Sequence, residues 1–207
     1  MSRTRPAGIV LAAGRSSRMG FSKALARYAG ETFIERWVRQ VDEVGCASIH
    51  VVVAEPHGAG IERALAGTRA VIVHNSTPEL GMLSSLQWAL REVAAGPSEG
   101  ALVCLVDQPL VRSDTLHLLI EEHRLSGADW VFPVYEGRRG HPYVLGRALF
   151  GAALAKSPTA TAREVLALAR RSREVVVRDQ GVVLDLDRPE DLVRVGASPL
   201  TDERPRN

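Results

Sequence analysis

Apolar positions along the chain fall into two patterns that take turns. Short apolar runs at Gly8–Ala12, Ile49–Ala54, Ala70–Val73, Ala101–Val106 and Trp130–Pro133 read as strands covered on both faces. Between them apolar residues recur at helical spacing, at Phe33, Ile34, Trp37, Val38, Val41 and Val44, then at Leu83, Leu86, Leu90 and Val93. The spacing returns at Leu116, Leu119, Ile120 and His123. Such alternation predicts β-α-β crossovers and an α/β fold: three layers, α/β/α, around a Rossmann-like, mostly parallel sheet. Ser113 and Asp114 are placed to cap the helix that follows them. In the last third, Tyr143–Leu145, Glu174–Val177 and Val182–Leu186 read as strands, with a helix over Thr161–Arg171. A final helix starts at Pro189 and runs to about Val195. The expected organisation is one domain over 1–197 and a polar, Pro-containing tail over 198–207.

Composition narrows the class. Hydrophobic residues make up 45% of the 207, ample for a core, while aromatics are only 5%, so aliphatic side chains must do the packing. The formal net charge is +2, which gives no reason to expect nucleic acid or a membrane surface as partner. The opening segment, with Arg3 and Arg5 before an apolar stretch, superficially resembles a short signal peptide. It runs straight into a glycine–arginine loop, however, and reads as a buried strand. No segment approaches the roughly 18 apolar residues of a membrane span. Cys46 and Cys104, each in or beside an apolar run, read as two reduced, buried thiols, which implies a cytoplasmic protein.

The densest chemistry lies in Leu11-Ala-Ala-Gly14-Arg-Ser-Ser-Arg18-Met-Gly20-Phe-Ser-Lys23. Small residues at Ala12, Ala13 and Gly14 let backbone N–H groups approach a ligand, and Arg15, Arg18 and Lys23 supply charge for a polyphosphate. The spelling fits neither of two common phosphate loops. Five residues separate Gly14 from Gly20 where a Walker A loop needs four, and Arg15-Ser16 stands where a dinucleotide fingerprint needs its second glycine.

Carboxylates complete the set. Asp107 ends an apolar strand and precedes Gln108-Pro109, the position where open α/β sheets bind ligands. Mg²⁺ favours one or two carboxylates together with phosphate oxygens and water. Asp185 and Asp187 alternate on an expected strand and so would share a face. Glu190 and Asp191 read more simply as first-turn acids of the last helix. Ser84 and Ser85 sit near a helix start and serve equally well as N-terminal hydrogen bonders or as ligand contacts. Arg138, Arg139 and His141 around Gly140 make a clamp suited to an anion.

Residues Leu11–Lys23 resemble the signature Leu-Ala-Ala-Gly-x-Ser-x-Arg-Met-Gly-x-x-Lys of the MobA-like NTP transferases, the molybdenum-cofactor nucleotidyltransferases and their relatives. The resemblance continues through Asn75, Gly81–Leu86, Val106–Pro109, Arg139–Pro142 and Asp185–Leu192, pointing to the molybdopterin cytidylyltransferase-like (MocA-type) branch. It implies a sheet of the nucleotide-diphospho-sugar transferase (GT-A-like) type. It also implies Mg²⁺-dependent transfer of CMP from CTP to a phosphorylated acceptor such as molybdopterin, with a transient contact to a molybdoenzyme or its maturation factor. By the same resemblance Leu11, Ala12, Ala13, Gly14, Arg15, Gly81, Ser84 and Ser85 bind the nucleotide, and Arg139, Gly140, His141 and Pro142 the acceptor. Asp107 and Asp187 would hold the metal, and Arg18, Lys23 and Asp107 would carry catalysis, all facing one cleft. Relatives reading Leu-Ala-Ala-Gly, as here, tend to use CTP, and those reading Leu-Ala-Gly-Gly tend to use GTP. One departure is Ser157–Arg163, which keeps only Ala162-Arg163 of a Gly-Asp-x-Gly-Ala-Arg-like stretch and so puts the acceptor's identity in doubt. Other functions stay open: a guanylyltransferase or other NTP transferase of the same family, an NAD(P)H-dependent oxidoreductase like nicotine-blue reductase on the same scaffold, and a non-catalytic nucleotide-binding protein that delivers a cofactor.

Overall fold

A computed structural model describes residues 5–16 and 19–199. The strands are β1 (Ala7–Leu11), β2 (Arg27–Tyr28), β3 (Glu31–Thr32), β4 (Ile49–Val53), β5 (Val71–His74), β6 (Gly100–Leu105), β7 (Trp130–Tyr135), β8 (Arg138–Arg139), β9 (Tyr143–Gly146) and β10 (Ser172–Val176). The helices are α1 (Phe33–Glu43), α2 (Gly58–Ala64), α3 (Met82–Ala95), α4 (Ser113–Ser126), α5 (Phe150–Ala155), α6 (Ala162–Leu166) and α7 (Pro189–Val195).

The main sheet runs β10-β7-β9-β6-β1-β4-β5, with β8 added to β7. Pairs β1–β4, β1–β6, β4–β5 and β7–β10 are parallel, whereas β9 lies antiparallel between β6 and β7. Period-two alternation sorts β1 onto two faces. Val10 and Ala12 pack with Trp37 and Val41 of α1 and Leu116 and Leu119 of α4. Ile9, Leu11 and Ala13 pack on the other side, with Leu83, Leu86 and Leu90 of α3 and Phe150 of α5. The mostly parallel sheet with helices on both sides is the fold expected from the alternation.

A smaller third cluster joins Met19, Ala26 and Phe33 to Leu186, Leu192 and Ala197. It binds the last part of the chain to the loop region after β1. The same seam carries a backbone pair, Arg27 N–H to the Ser198 carbonyl at 2.7 Å and Ser198 N–H to the Arg27 carbonyl at 2.9 Å. Ser198, expected in a tail, is thus held. No helix among the described residues is long and apolar enough to cross a membrane. Both cysteines are buried free thiols, and burial pushes the Cys46 thiol up to about 12.

Three local expectations fail, each because a distant group intervenes. Val182–Leu186 forms no strand: Gln180–Val183 is a turn of 3-10 helix, followed by irregular backbone. Asp179 bonds Gly181 N–H at 3.0 Å, and the Val182 carbonyl accepts from His141 N–H at 2.8 Å, so these groups are spent on loop contacts. The helix over Thr161–Arg171 shrinks to α6. Thr161 and Glu164 close a capping box at its start, and the Asp129 carboxylate takes the N–H groups of Arg170 and Arg171 at 2.9 and 3.0 Å, turning the chain into β10. Neither Ser113 nor Asp114 caps α4; its N-cap is Arg112, whose N–H donates to Asp179 at 2.9 Å, as does the Thr115 hydroxyl at 2.7 Å.

Candidate active site

The carboxyl ends of β1 and β6, side by side, border a cleft of about 320 Å³. Leu11, Ala12, Ala13 and Gly14 form one wall; Pro78, Gly81, Met82 and Ser85 a second; Lys23, Asp107 and Asp187 the floor. Parallel strands that end side by side leave such a crevice, and the small side chains after Leu11 keep it open.

Lys23 is positioned by its own loop. Its backbone N–H donates to the Ser16 hydroxyl at 3.1 Å, and a turn of 3-10 helix, Lys23–Leu25, follows. The ammonium then lies 3.4 Å from Asp107 Oδ2 and in tight contact with Asp187 Oδ1. Asp107 leaves the end of β6, and its carbonyl accepts from Leu186 N–H at 2.8 Å, which fixes the segment carrying Asp187 beside it. Asp185 does not line the cleft: it accepts from Gln108 Nε2 at 2.7 Å. The shared strand face expected for Asp185 and Asp187 is therefore replaced by two separate engagements.

Electrostatics single out Asp107 on this floor. Burial pushes the Asp107 carboxyl above the usual carboxylate range, and Asp185 and Asp187 push the same way against Lys23. Asp107 and Asp187 both contact the Lys23 ammonium, and a partly buried pair of carboxylates facing a cleft is a setting that suits a bound cation. Among the described residues, no group of three or more His, Cys, Asp or Glu side chains comes together to hold a metal ion. Asp107 and Asp187 alone fit a hard divalent cation whose remaining ligands are phosphate oxygens and water.

The second wall is built by Asn75. Its side-chain oxygen accepts from Thr77 N–H at 2.8 Å, and its Nδ2 donates to Ser84 and Ser85 at 3.1 and 2.9 Å. Gly81 precedes α3 with φ of 105°, a conformation that side chains rarely adopt.

Not every expected site residue reaches the cleft. Arg18 lies outside the described residues. Arg15 is exposed and does not line the cleft; its carbonyl is 3.3 Å from His57 Nε2. Ser84 is buried at 2% exposure with its oxygen committed to Asn75 and Thr77. Arg139, Gly140, His141 and Pro142 also lie outside the lining. Arg139 stands over the Phe132 and Trp130 rings at 4.9 and 5.5 Å, and is 3.6 Å from Glu174. Gly140 is required for close packing, because a Cβ there would sit 2.2 Å from the Val182 carbonyl oxygen. Burial lowers the His141 pKa, with Asp185 opposing. This loop is thus tied to the segment that carries Asp185 and Asp187, beside the cleft rather than in it.

Several lining residues were not singled out from sequence: Ser16, Ser22, Pro78, Met82 and Val106. Ser16, with φ of 49°, lay inside the singled-out loop, and the Asn75-Ser-Thr77 spelling carries an Asx-turn signal that would have exposed the hub.

Set against known proteins, the chain matches the model of the MobA-like NTP transferase domain over residues 8–176. It belongs to the MobA-like NTP transferase family, and its fold is that of the nucleotide-diphospho-sugar transferases. It is 34% identical over 125 residues to the bifunctional protein GlmU of Bifidobacterium longum, covering 58% of this chain but only 27% of that protein. With nicotine blue oxidoreductase of Paenarthrobacter nicotinovorans it shares 32% identity over 149 residues, 69% of this chain and 71% of the relative. The crystal structure of Rv0371c from Mycobacterium tuberculosis superposes with a TM-score of 0.79 at 29% identity, covering 94% of this chain and 98% of that one. A second structure of Rv0371c is a complex with manganese.

Proposed function

We propose that the chain is a metal-dependent nucleotidyltransferase that moves CMP from CTP to a phosphorylated small molecule, molybdopterin first among the candidates, and releases pyrophosphate. The observation that carries this reading is the meeting of Lys23, Asp107 and Asp187 in one cleft walled by Leu11–Gly14 and by Pro78, Gly81, Met82 and Ser85. Membership of the family supports the reaction class. The spelling of Arg139–Pro142 supports the MocA-type branch, and the Leu-Ala-Ala-Gly spelling, with the Ala13 methyl lining the cleft where it would crowd a larger purine, supports CTP over GTP.

In this reading Asp107 and Asp187 hold Mg²⁺, which supplies charge neutralisation on the triphosphate when bound. An oxygen of the acceptor phosphate attacks the α-phosphorus, and the bond from that phosphorus to the β-bridging oxygen breaks. A phosphate monoester is already anionic at neutral pH, so no proton has to be taken from it, and the site needs no triad. Lys23 neutralises phosphate charge, the Leu11–Gly14 turn positions the nucleotide, and an acceptor reaching past the cleft would meet the Arg139–Pro142 loop beside it.

A second reading, an NAD(P)H-dependent oxidoreductase, is favoured by the similarity to nicotine blue oxidoreductase and opposed by the missing dinucleotide fingerprint. Both are tested by two measurements made side by side. Pyrophosphate release is measured with CTP, GTP and UTP against a panel of phosphorylated acceptors in Mg²⁺ or Mn²⁺, beside thermal shift with each nucleotide and with NADPH. Metal-dependent stabilisation and turnover with CTP bear out the proposal; stabilisation by NADPH alone sinks it in favour of the oxidoreductase.

A further inference from the structure

The wall formed by Ser85 has a fixed polarity, and Asn75 sets it. Thr77 N–H can only donate, so the Asn75 side-chain atom facing it at 2.8 Å is the carbonyl oxygen. The amide nitrogen must then face the serines, with one N–H for Ser84 at 3.1 Å and one for Ser85 at 2.9 Å. Ser84 hands its own proton to the Thr77 carbonyl at 3.1 Å, with Asn75 Oδ1 also in reach at 3.3 Å. Ser85 ends the relay. Its oxygen accepts from Asn75, and no partner inside the protein takes its proton among the described residues. Asn75 is 2% exposed and Ser85 6%, yet Ser85 lines the cleft. The start of α3 reinforces the sign: it has no side-chain cap, so its first N–H groups also offer hydrogen.

We infer that Asn75 is a specificity-determining residue which, through Ser85, makes this wall of the cleft a hydrogen-bond donor, so that the cleft reads a nucleobase through an acceptor atom. This rests on the nucleotidyltransferase reading. A pyrimidine keto oxygen or ring nitrogen satisfies the wall; an amino group pointed at it does not. Aspartate at 75 would still accept from Thr77 N–H but could donate to neither serine. Ser85 would then turn its proton inward and show the cleft a lone pair.

The test is calorimetric titration of the full chain in Mg²⁺ with two probes, CTP and inorganic tripolyphosphate, the latter carrying charge but no base. Asn75→Asp, Ser85→Ala and the double variant are compared with wild type. Ser85→Ala is expected to weaken CTP by about tenfold or more, the scale of one lost hydrogen bond in a dry site, and to leave tripolyphosphate unchanged, whereas the Asn75→Asp carboxylate weakens both probes through its charge and CTP by about tenfold more. Because Asn75 works through Ser85, the double variant should lose no more CTP affinity, relative to tripolyphosphate, than Ser85→Ala alone. Should the buried aspartate prevent folding, Asn75→Ser, neutral and too short to reach Ser85, takes its place with the expectation given for Ser85→Ala. Unchanged CTP affinity in the single variants, additive losses relative to tripolyphosphate, or equal losses of both probes would each overturn the inference while the nucleotidyltransferase reading stood. Wild type binding no nucleoside triphosphate at all would remove that reading, and the inference with it.

Discussion

Two clusters of acids and cations lie on either side of the loop after β6, and they are in opposite states. On α1 and the hairpin before it, Glu31 meets Arg36 at 3.0 Å and Arg39 at 2.7 Å, and Arg39 also reaches Glu43 at 2.9 Å. Two acids face two cations, and the Arg39 hydrogen bond holds the Glu31 carboxyl below its ordinary range, with Arg36 helping and burial opposing. In the cleft, Asp107 lies 3.4 Å from Lys23, yet its carboxyl is pushed up, because burial and two further acids outweigh one ammonium. Arg36 touches both worlds, donating from Nε to the Pro109 carbonyl at 2.7 Å, two residues beyond Asp107. A carboxylate whose pairing outweighs its burial stabilises the fold; one whose burial outweighs its pairing is what a site keeps for a ligand that brings its own charge.

Substitutions that remove one negative charge from each cluster should therefore act in opposite directions. The largest effect expected is on turnover: Asp107→Ala should cut pyrophosphate release at least about a hundredfold. The protein should stay folded, as judged by an unchanged far-UV circular dichroism spectrum. Near-wild-type turnover would take Asp107 out of the metal site. Asp107→Asn, in buffer containing EDTA, should raise the thermal midpoint, at about 2–4 °C per kcal/mol for a chain of this size. It relieves a partly buried charge that Lys23 leaves under-compensated; a lower midpoint would place the cleft cluster with that of Glu31.

Glu31→Gln should do the reverse and by less, costing about 0.5–1 kcal/mol at neutral pH for a partly exposed pair. The folded pKa of Glu31 is lowered, so its contribution is present above the unfolded value, 4.5, and is lost as pH falls through the folded value. Urea unfolding at pH 7 and at pH 3 should show the gap between wild type and variant closing in acid. A gap that widens in acid would contradict the assignment.

How far the sequence reached follows the same division between local and distant causes. The strands and helices that pack the two faces of the sheet were legible because burial repeats at spacings of two and 3.6 along the chain itself. The loop from Leu11 to Lys23 was legible because small and basic residues crowd into a dozen positions. Asp187 was legible as an acid but not as to its setting. The apolar run around it resembles a strand, and only the contacts of Asp179 and of the Arg139–Pro142 loop show why it forms none. Likewise nothing near Ser113 announces that the α4 start is served by Asp179 from far along the chain. The Asn75 relay escaped because its meaning depends on which atom faces which, and composition carries no such information.

Among the described residues the backbone that follows β10 adds no strand to the sheet, yet it brings the second acid of the cleft. A nascent chain emptied from the ribosome only as far as Val176 already has every sheet strand in hand but lacks Asp187. Completion of the scaffold and completion of the cleft are thus separated in time by the synthesis of residues 177–187, and the contact of Lys23 with Asp187 that finishes the site closes a separation of 164 residues.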